Sequence, residues 1–173
     1  MWSVDARINA EGPPRRADLA AATPADAEQI AGVFTDARST MSYLPRSPYS
    51  DEETAAFFRR LIESAENVVI KAAAEHGQIG GFVVFGEGRV DHLYVRRALQ
   101  RCGIGSELIR AAQARFDHLE GWVFEQNTDA LAFYERHGFE VVERTDGARN
   151  EEREPDVRIA WRRGSSGVSS PTA

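Results

Sequence analysis

A basic, glycine-containing turn at residues 100–106 is the first segment whose residue types could do chemistry. It reads Gln-Arg-Cys-Gly-Ile-Gly-Ser and connects an alternating apolar run that ends at Val95 to an amphipathic segment that begins at Ile104. Glycine lets a ligand approach the backbone closely, and the first N–H groups of a helix have no acceptor within the helix. Because a helix N-terminus also carries roughly half a positive charge, the turn predicts an anion site. For this segment alone, glycines that serve only tight packing are an open alternative.

A second segment, at residues 127–139, carries a candidate proton donor. It reads N-x-x-A-x-x-F-Y-E-x-x-G-F, with Asn127 at its start and Tyr134 on the same predicted helix. A phenol of pKa about 10 can give a proton to a departing thiolate, and an asparagine at a helix start can cap the helix or bind a ligand. A core tyrosine that uses its hydroxyl only for structure is the alternative.

The pattern Q-x-x-G-x-G after Leu93-Tyr94-Val95, followed by the second segment, resembles the GNAT superfamily of acyl-CoA-dependent N-acyltransferases in both motifs, their order and their separation. The resemblance covers about residues 16–163. It implies an α/β (α+β) fold with a mixed, mostly antiparallel sheet of six to seven strands flanked by four helices. It also implies that the fourth and fifth strands splay apart.

The resemblance implies a binding site for acetyl-CoA as co-substrate, built largely from backbone groups. The strand backbone would hold the thioester, the turn would hold the paired phosphates, and the asparagine would bind the pantetheine arm. The residues so implied are Leu93, Tyr94, Val95, Gln100, Arg101, Cys102, Gly103, Ile104, Gly105, Ser106 and Asn127. Tyr134 would protonate the thiolate, and Cys102 is interpreted as a loop residue because direct transfer needs no cysteine nucleophile.

The general base is the weakest part of the pattern. Some members of the resembled family carry a glutamate five residues before the asparagine, where this chain has Trp122. Asp91 and His92 on the predicted fourth strand are alternatives, on opposite faces, and strand alternation places Asp91 with Leu93 and Val95. Asp91 is the catalytic hypothesis, and a water chain without any single base is equally open.

The loop at residues 39–50 holds two prolines and two tyrosines and cannot be regular helix. In the resembled family this region generally lines the acceptor pocket. The candidate pocket walls are Met41, Tyr43, Leu44 and Tyr49. A loop folded over its own hydrophobic side chains is the alternative interpretation.

These segments require elements in the order β-α-α-β-β-β-α-β-α-β-β. Helix starts are marked by the caps Thr23 and Ser50, the latter with Glu53 three residues later, and the second helix is expected to place Phe57 and Phe58 inward. Predicted strands cover 17–22, 68–74, 79–85, 90–95, 121–125, 139–143 and 157–161.

Length and composition limit the classes of protein. The 173 residues predict one domain at 15–163, between a flexible arm at 1–14 and a flexible tail at 164–173. A net charge of −6 disfavours nucleic-acid binding. Four scattered histidines and one cysteine predict no metal site, and the lack of a long apolar run predicts no membrane partner and a cytoplasmic location.

The predicted function is transfer of an acetyl group from acetyl-CoA to the primary amine of a small molecule, by direct attack in a ternary complex. A protein or peptide N-acetyltransferase acting on an N-terminus or a lysine is one alternative. A non-catalytic acyl-CoA-binding regulatory module is the other, and it would not need Tyr134. The resemblance further implies a homodimer as a candidate assembly.

Overall fold

Seven strands form one mixed sheet with four α-helices on its faces in the computed structural model, which describes residues 17–164. The strands are β1 (Leu19–Ala21), β2 (Val68–Ala73), β3 (Ile79–Gly86), β4 (Arg89–Val95), β5 (His118–Phe124), β6 (Glu140–Arg144) and β7 (Asp156–Arg162). The helices are α1 (Ala27–Arg38), α2 (Asp51–Glu63), α3 (Ile104–Gln113) and α4 (Thr128–Arg136). The predicted fold class and element order are confirmed. The predicted arm lies outside the described residues, as does the tail beyond residue 164.

The strands are ordered β1-β2-β3-β4-β5-β7-β6 across the sheet, and every neighbouring pair is antiparallel except β4 and β5. Short turns join β2 to β3 at residues 74–78 and β3 to β4 at residues 87–88. β4 and β5 are instead joined through α3, as a parallel pair requires.

Local sequence signals set the helix starts as predicted. Ser50 Oγ accepts the Glu53 N–H at 3.2 Å, and the Glu53 carboxylate accepts the Ser50 N–H at 2.8 Å, which completes a capping box for α2. Asp26 accepts the Thr23 N–H at 2.7 Å in the turn before α1. These bonds satisfy N–H groups that have no partner inside the helix.

Two apolar cores lie on opposite faces of the sheet, separated by the fully buried strand β3. Val83 and Phe85 join the first core, which also contains residues of α3, α4, β5 and β7. Phe82 and Val84 join the second core, which contains residues of α1 and α2. Alternation along a strand sends neighbouring side chains to opposite faces, so one strand supplies both cores.

The helix α2 buries a narrower stripe than predicted. Phe58 is fully buried in the second core, but Phe57 is 38% exposed, so its predicted inward position is wrong. Adjacent helical residues point about 100° apart, and Phe57 lies at the rim of the core, where its ring contacts His92 at 5.7 Å between centroids.

The strands β4 and β5 pair for only two residues, Arg89 with Glu120 and Val90 with Gly121. A side-chain carbon at Gly121 would lie 3.1 Å from the Val90 carbonyl oxygen, so glycine permits the close approach at this last pair. Beyond it the strands diverge, as predicted. We call the gap between residues 91–95 and residues 122–124 the wedge.

Candidate active site

The turn before α3 has the backbone geometry of an anion site. Arg101 and Gly103 both have positive φ, at 63° and 91°. Such alternating backbone conformations turn successive N–H groups toward one concave surface. The N–H groups of the first turn of α3 have no acceptor within the helix, and the Glu107 N–H donates to the Gly103 carbonyl at 3.1 Å. A side-chain carbon at Gly103 would meet no atom within 4 Å, so this surface is open.

Gln100 connects the turn to the end of β4. Its Nε2 donates to the Val95 carbonyl at 3.2 Å. The bond ties the start of the turn to the edge of the wedge. Cys102 is exposed in the same turn and donates weakly to the Gln100 carbonyl, with 3.6 Å between sulfur and oxygen.

Close packing brings the turn, β4 and α4 together at Gly105. A side-chain carbon there would lie 3.3 Å from the Phe133 ring and 3.7 Å from the Val95 side chain. Arg101 and Asp129 approach to 3.6 Å across the same junction, although both side chains are exposed. The turn therefore lies beside the start of α4. The two sequence motifs, at residues 100–106 and 127–134, are adjacent in space.

The open edge of β4 presents particular backbone groups to the wedge. Arg96 N–H donates to the Gly80 carbonyl on β3 at 2.8 Å. Because N–H directions alternate along a strand, Tyr94 N–H also points to β3, whereas Leu93 and Val95 N–H point into the wedge. The wedge thus offers two strand N–H groups, and of the predicted trio Tyr94 contributes its side chain on the α1 face instead.

Tyr134 lies on α4 against the first core, with its ring 5.2 Å from Phe133 and 5.1 Å from Phe139 between centroids. Burial, and secondarily the nearby Tyr94, raise the pKa of Tyr134 well above its ordinary value. The phenol therefore stays protonated at neutral pH. This is the state that a proton donor needs, and it excludes a role as phenolate base.

Asn127 caps α4. Its Oδ1 accepts the Ala130 N–H at 3.2 Å. This is the capping role that the sequence left open beside ligand binding, and the two roles are compatible because the side-chain amide group is a separate donor.

The sequence predicted that Asp91 shares a face with Leu93 and Val95, but a β-bulge at this residue breaks the alternation on which that prediction rests. The pairing of β3 with β4 shifts by one residue, Val84 opposing His92 and Phe85 opposing Val90, which leaves Asp91 in a β-bulge. Val90 takes the place on the Leu93 face that simple alternation gives to Asp91. The Asp91 carboxylate lies 3.6 Å from Arg89 Nε, at the closed end of the wedge.

His92, the other candidate base, is packed among aromatic rings on the α1 and α2 face. Its ring centroid lies 5.5 Å from that of Phe58, 5.7 Å from Phe57 and 6.2 Å from Phe34. Burial lowers the pKa of His92 to about 4; the charge of Arg38 acts the same way and that of Asp91 opposes it. The imidazole is therefore neutral and only weakly basic at neutral pH.

Arg38 is a site residue that sequence reasoning missed. At the end of α1, its guanidinium donates to Glu152 Oε1 at 2.8 Å and lies 5.0 Å and 6.0 Å from the Phe34 and Phe124 ring centroids. Burial raises the pKa of Tyr94, and the nearby positive charge of Arg38 opposes that rise. No spacing signal could reveal this group, because Arg38 and Glu152 are 114 residues apart.

The loop between α1 and α2 reaches the far end of β5. The Tyr43 ring lies 6.0 Å from the Phe124 ring, and its buried hydroxyl finds no hydrogen-bond partner among residues 17–164. Met41 and Leu44 are partly buried, whereas Tyr49 is 53% exposed and donates to Glu151. The structure therefore brings Tyr43 to the wedge, and the role of all four as pocket walls stays a prediction.

A cleft of about 790 Å³ lies beside the same end of β5. Trp122, 53% exposed, and Phe124 line it together with Glu152 and Asn150 of the β6–β7 loop. Trp122 thus forms part of the cleft wall at the position where the resemblance led us to look for a base. Among residues 17–164 no cluster of three or more His, Cys, Asp or Glu side chains is arranged to hold a metal, and no helix of that region is long and apolar enough to cross a membrane.

Residues 64–141 match the family model described as an acetyltransferase (GNAT) domain. Two curated proteins of Escherichia coli (strain K12) are similar in sequence. The peptidyl-lysine N-acetyltransferase YiaC is 37% identical over 70 residues, which cover 40% of this chain and 48% of that protein. The peptidyl-lysine N-acetyltransferase YjaB is 32% identical over 75 residues, which cover 43% of this chain and 51% of that protein. The chain thus aligns with about half the length of these relatives.

Solved structures of this fold are similar over most of the chain. A phosphinothricin acetyltransferase of the GNAT superfamily from Sinorhizobium meliloti, determined in complex with AcCoA, superimposes with a TM-score of 0.68. The two are 18% identical, and the match covers 90% of this chain and 93% of that one. At this identity the likeness establishes the GNAT fold. The family match itself excludes α1, the loop after it and the β6–β7 loop, which are the elements around Arg38 and Glu152.

Proposed function

We propose that this chain, which carries a GNAT acetyltransferase domain, is an N-acetyltransferase that moves an acetyl group from acetyl-CoA to the primary amine of a small molecule. The attack is direct, in a ternary complex. The observation that carries the proposal is the junction at Gly105, where an open anion-binding turn, the open edge of β4 and the helix bearing Tyr134 meet.

The binding groups fit a long ligand with paired phosphates at one end. Acetyl-CoA supplies an acyl group activated as a thioester. The N–H groups of residues 101–106 bind the phosphates at the helix N-terminus, and Gln100 holds the turn in shape. The N–H groups of Leu93 and Val95 extend the site along the wedge, as an added strand would pair with a sheet edge. Asn127 binds beside the arm while it caps α4.

Tyr134 donates the proton to the departing thiolate. Its raised pKa keeps the proton on the phenol until negative charge develops beside it. A thiolate without a hydrogen-bond donor is unstable in such buried surroundings. The hydrogen bond from the phenol therefore stabilises the departing thiolate more than the same bond would in water.

The acceptor amine must lose its proton before it attacks, because alkylamines titrate near pH 10. We assign this step to water in the wedge. Asp91 lies beside Arg89 at the closed end of the wedge, and His92 is buried among aromatic rings with a pKa of about 4, whereas water can reach an amine at the open end.

An acceptor lysine within a protein is the second candidate. Its support is that the two similar Escherichia coli proteins are peptidyl-lysine N-acetyltransferases. Its weakness is that those matches span only about half of each protein. The two candidates share the wedge chemistry and differ in what approaches the end of β5.

Release of free CoA from acetyl-CoA tests the function, with a panel of polyamines, aminoglycosides, amino acids and lysyl peptides. Tyr134→Phe should lower turnover of an authenticated acceptor by about 10²–10⁴-fold while calorimetry shows CoA binding retained. Gly103→Ala, which forces a side chain into φ 91°, should do the reverse, weakening CoA binding by about tenfold with the phenol intact.

Each outcome decides a separate step. Equal turnover by wild type and Tyr134→Phe removes the proton-donor assignment. Saturable CoA binding without acetylation of any amine supports the non-catalytic acyl-CoA-binding module instead. A folded protein that shows no binding of CoA or acetyl-CoA removes the whole proposal.

A further inference from the structure

Two consecutive glutamates of the β6–β7 loop hold both ends of the loop between α1 and α2. Arg38, the last residue of α1, donates to Glu152, and Tyr49, next to the N-cap of α2, donates to Glu151. We call these two bonds the clasp. They join segments more than 100 residues apart in sequence, at separations of 114 and 102 residues.

The two bonds differ in burial. The side chains of Arg38 and Glu152 are 18% and 22% exposed, and the guanidinium also contacts the rings of Phe34 and Phe124. Tyr49 is 53% exposed, so its bond to Glu151 competes with water. The half-buried Arg38–Glu152 bond therefore does most to hold the α1–α2 loop in place, and the exposed Tyr49–Glu151 bond contributes less.

The loop that supplies the glutamates is itself held in shape. Asn150 Nδ2 donates to the Glu154 carbonyl at 2.7 Å and to Asp156 Oδ2 at 2.9 Å, and Thr145 donates to the same aspartate. Arg153 donates to the Ala148 carbonyl at 2.7 Å. These bonds hold Glu151 and Glu152 in place as acceptors. The clasp therefore fixes the α1–α2 loop against a loop that is already held by its own hydrogen bonds.

The clasp lies at the open end of the wedge, on the face of the sheet that α1 and α2 cover, and the anion-binding turn leads into α3 on the opposite face. Phe124, the last residue of β5, lies beneath the Arg38 guanidinium and beside the Tyr43 ring. A nucleophile that meets the thioester from this side must pass the clasp. A polypeptide segment lying in an open groove needs room for its backbone and for side chains on both of its faces, and a bridge across the groove removes that room.

We propose that the clasp selects the acceptor class, admitting a primary amine at the tip of a slender molecule and excluding a lysine within an extended polypeptide. The inference rests on the proposed N-acetyltransferase function and names the substrate class of that same site. Arg38, Tyr49, Glu151 and Glu152 act as specificity-determining residues that touch neither the thioester nor its leaving group.

The test compares two acceptors that carry the same aminobutyl group, N-acetyl-lysine methylamide and a 15-residue peptide with one central lysine. Glu151→Ala combined with Glu152→Ala opens the clasp. Asp117→Ala is the matched control, because it removes another carboxylate–arginine pair, with Arg163, at the opposite end of β5. The opened variant should raise the kcat/KM ratio of peptide to methylamide about tenfold, and the control should leave the ratio unchanged.

Hydrogen exchange of residues 39–50 supplies a readout that does not depend on activity. Exchange there should accelerate in the opened variant and not in Asp117→Ala. Unchanged exchange overturns the clasp as the element that holds the loop. Faster exchange with an unchanged acceptor ratio overturns its role in selection while leaving the N-acetyltransferase function intact. Absence of turnover of every amine in the wider panel as well as of these two acceptors, in all three proteins with CoA binding retained, overturns the proposed function and the selection together.

Discussion

Replacing His92 by phenylalanine should remove a penalty on stability that grows as the pH falls. The imidazole is enclosed by the rings of Phe34, Phe57 and Phe58, and burial lowers its pKa from 6.5 to about 4. A phenylalanine ring fits the same aromatic surroundings and does not titrate. The variant therefore isolates the cost of protonating a histidine inside the second core.

The sign and size follow from linkage. Because the folded pKa of His92 lies below the unfolded value, the unfolded chain binds the proton more tightly, and stability is lost as pH falls from about 6.5 toward 4. With pKa values of 6.5 and about 4, the loss is negligible at pH 7 and about 2 kcal/mol at pH 5. The stability of His92→Phe relative to wild type should rise by that amount over this interval.

Urea unfolding at half-unit steps between pH 7.5 and pH 4.5 measures the difference. His76→Asn is the control, because His76 is exposed in the turn between β2 and β3 and asparagine tolerates its φ of 58°. A wild-type minus variant difference that stays constant across this range would refute the burial argument. It would also reopen His92 as a general base, since an imidazole of ordinary pKa could accept a proton near pH 7.

Two further predictions concern separate regions. Asp26→Asn should destabilise the fold by about 1–3 kcal/mol at pH 7, because the carboxylate accepts Lys71 Nζ at 2.7 Å and the Thr23 N–H. Burial acts to raise the pKa of Asp26, but these bonds lower it overall, so the contribution is present above about pH 4 and lost below it; urea unfolding of both proteins at pH 7 and pH 3 should show the gap closing. Cys102, exposed in the turn at residues 100–106, should react with a bulky maleimide, and acetyl-CoA should protect it if the proposed phosphate site is right. Equal reaction rates at saturating acetyl-CoA, followed by mass spectrometry, would contradict the placement of that ligand on the turn.

Several features follow from the sequence because their causes are local. The capping box at Ser50 and Glu53, the turn at residues 100–106 and the cap at Asn127 depend on hydrogen bonds or backbone conformations spanning only a few residues. The element order follows in the same way from hydrophobic periodicity. Together these local signals predicted the turn at residues 100–106 and the helix that carries Tyr134.

Tertiary structure alone decided the surroundings of these segments. A one-residue shift in the pairing of β4 with β3 put Val90, and not the residue that alternation predicts, on the face of Leu93, and the sequence of β4 carries no signal of that shift. The ion pair between Arg38 and Glu152 depends on how α1 and the β6–β7 loop pack at the end of β5. Hydrophobic periodicity predicts which side chains are buried. It does not predict which distant residues they contact, because those contacts depend on how the helices pack on the sheet.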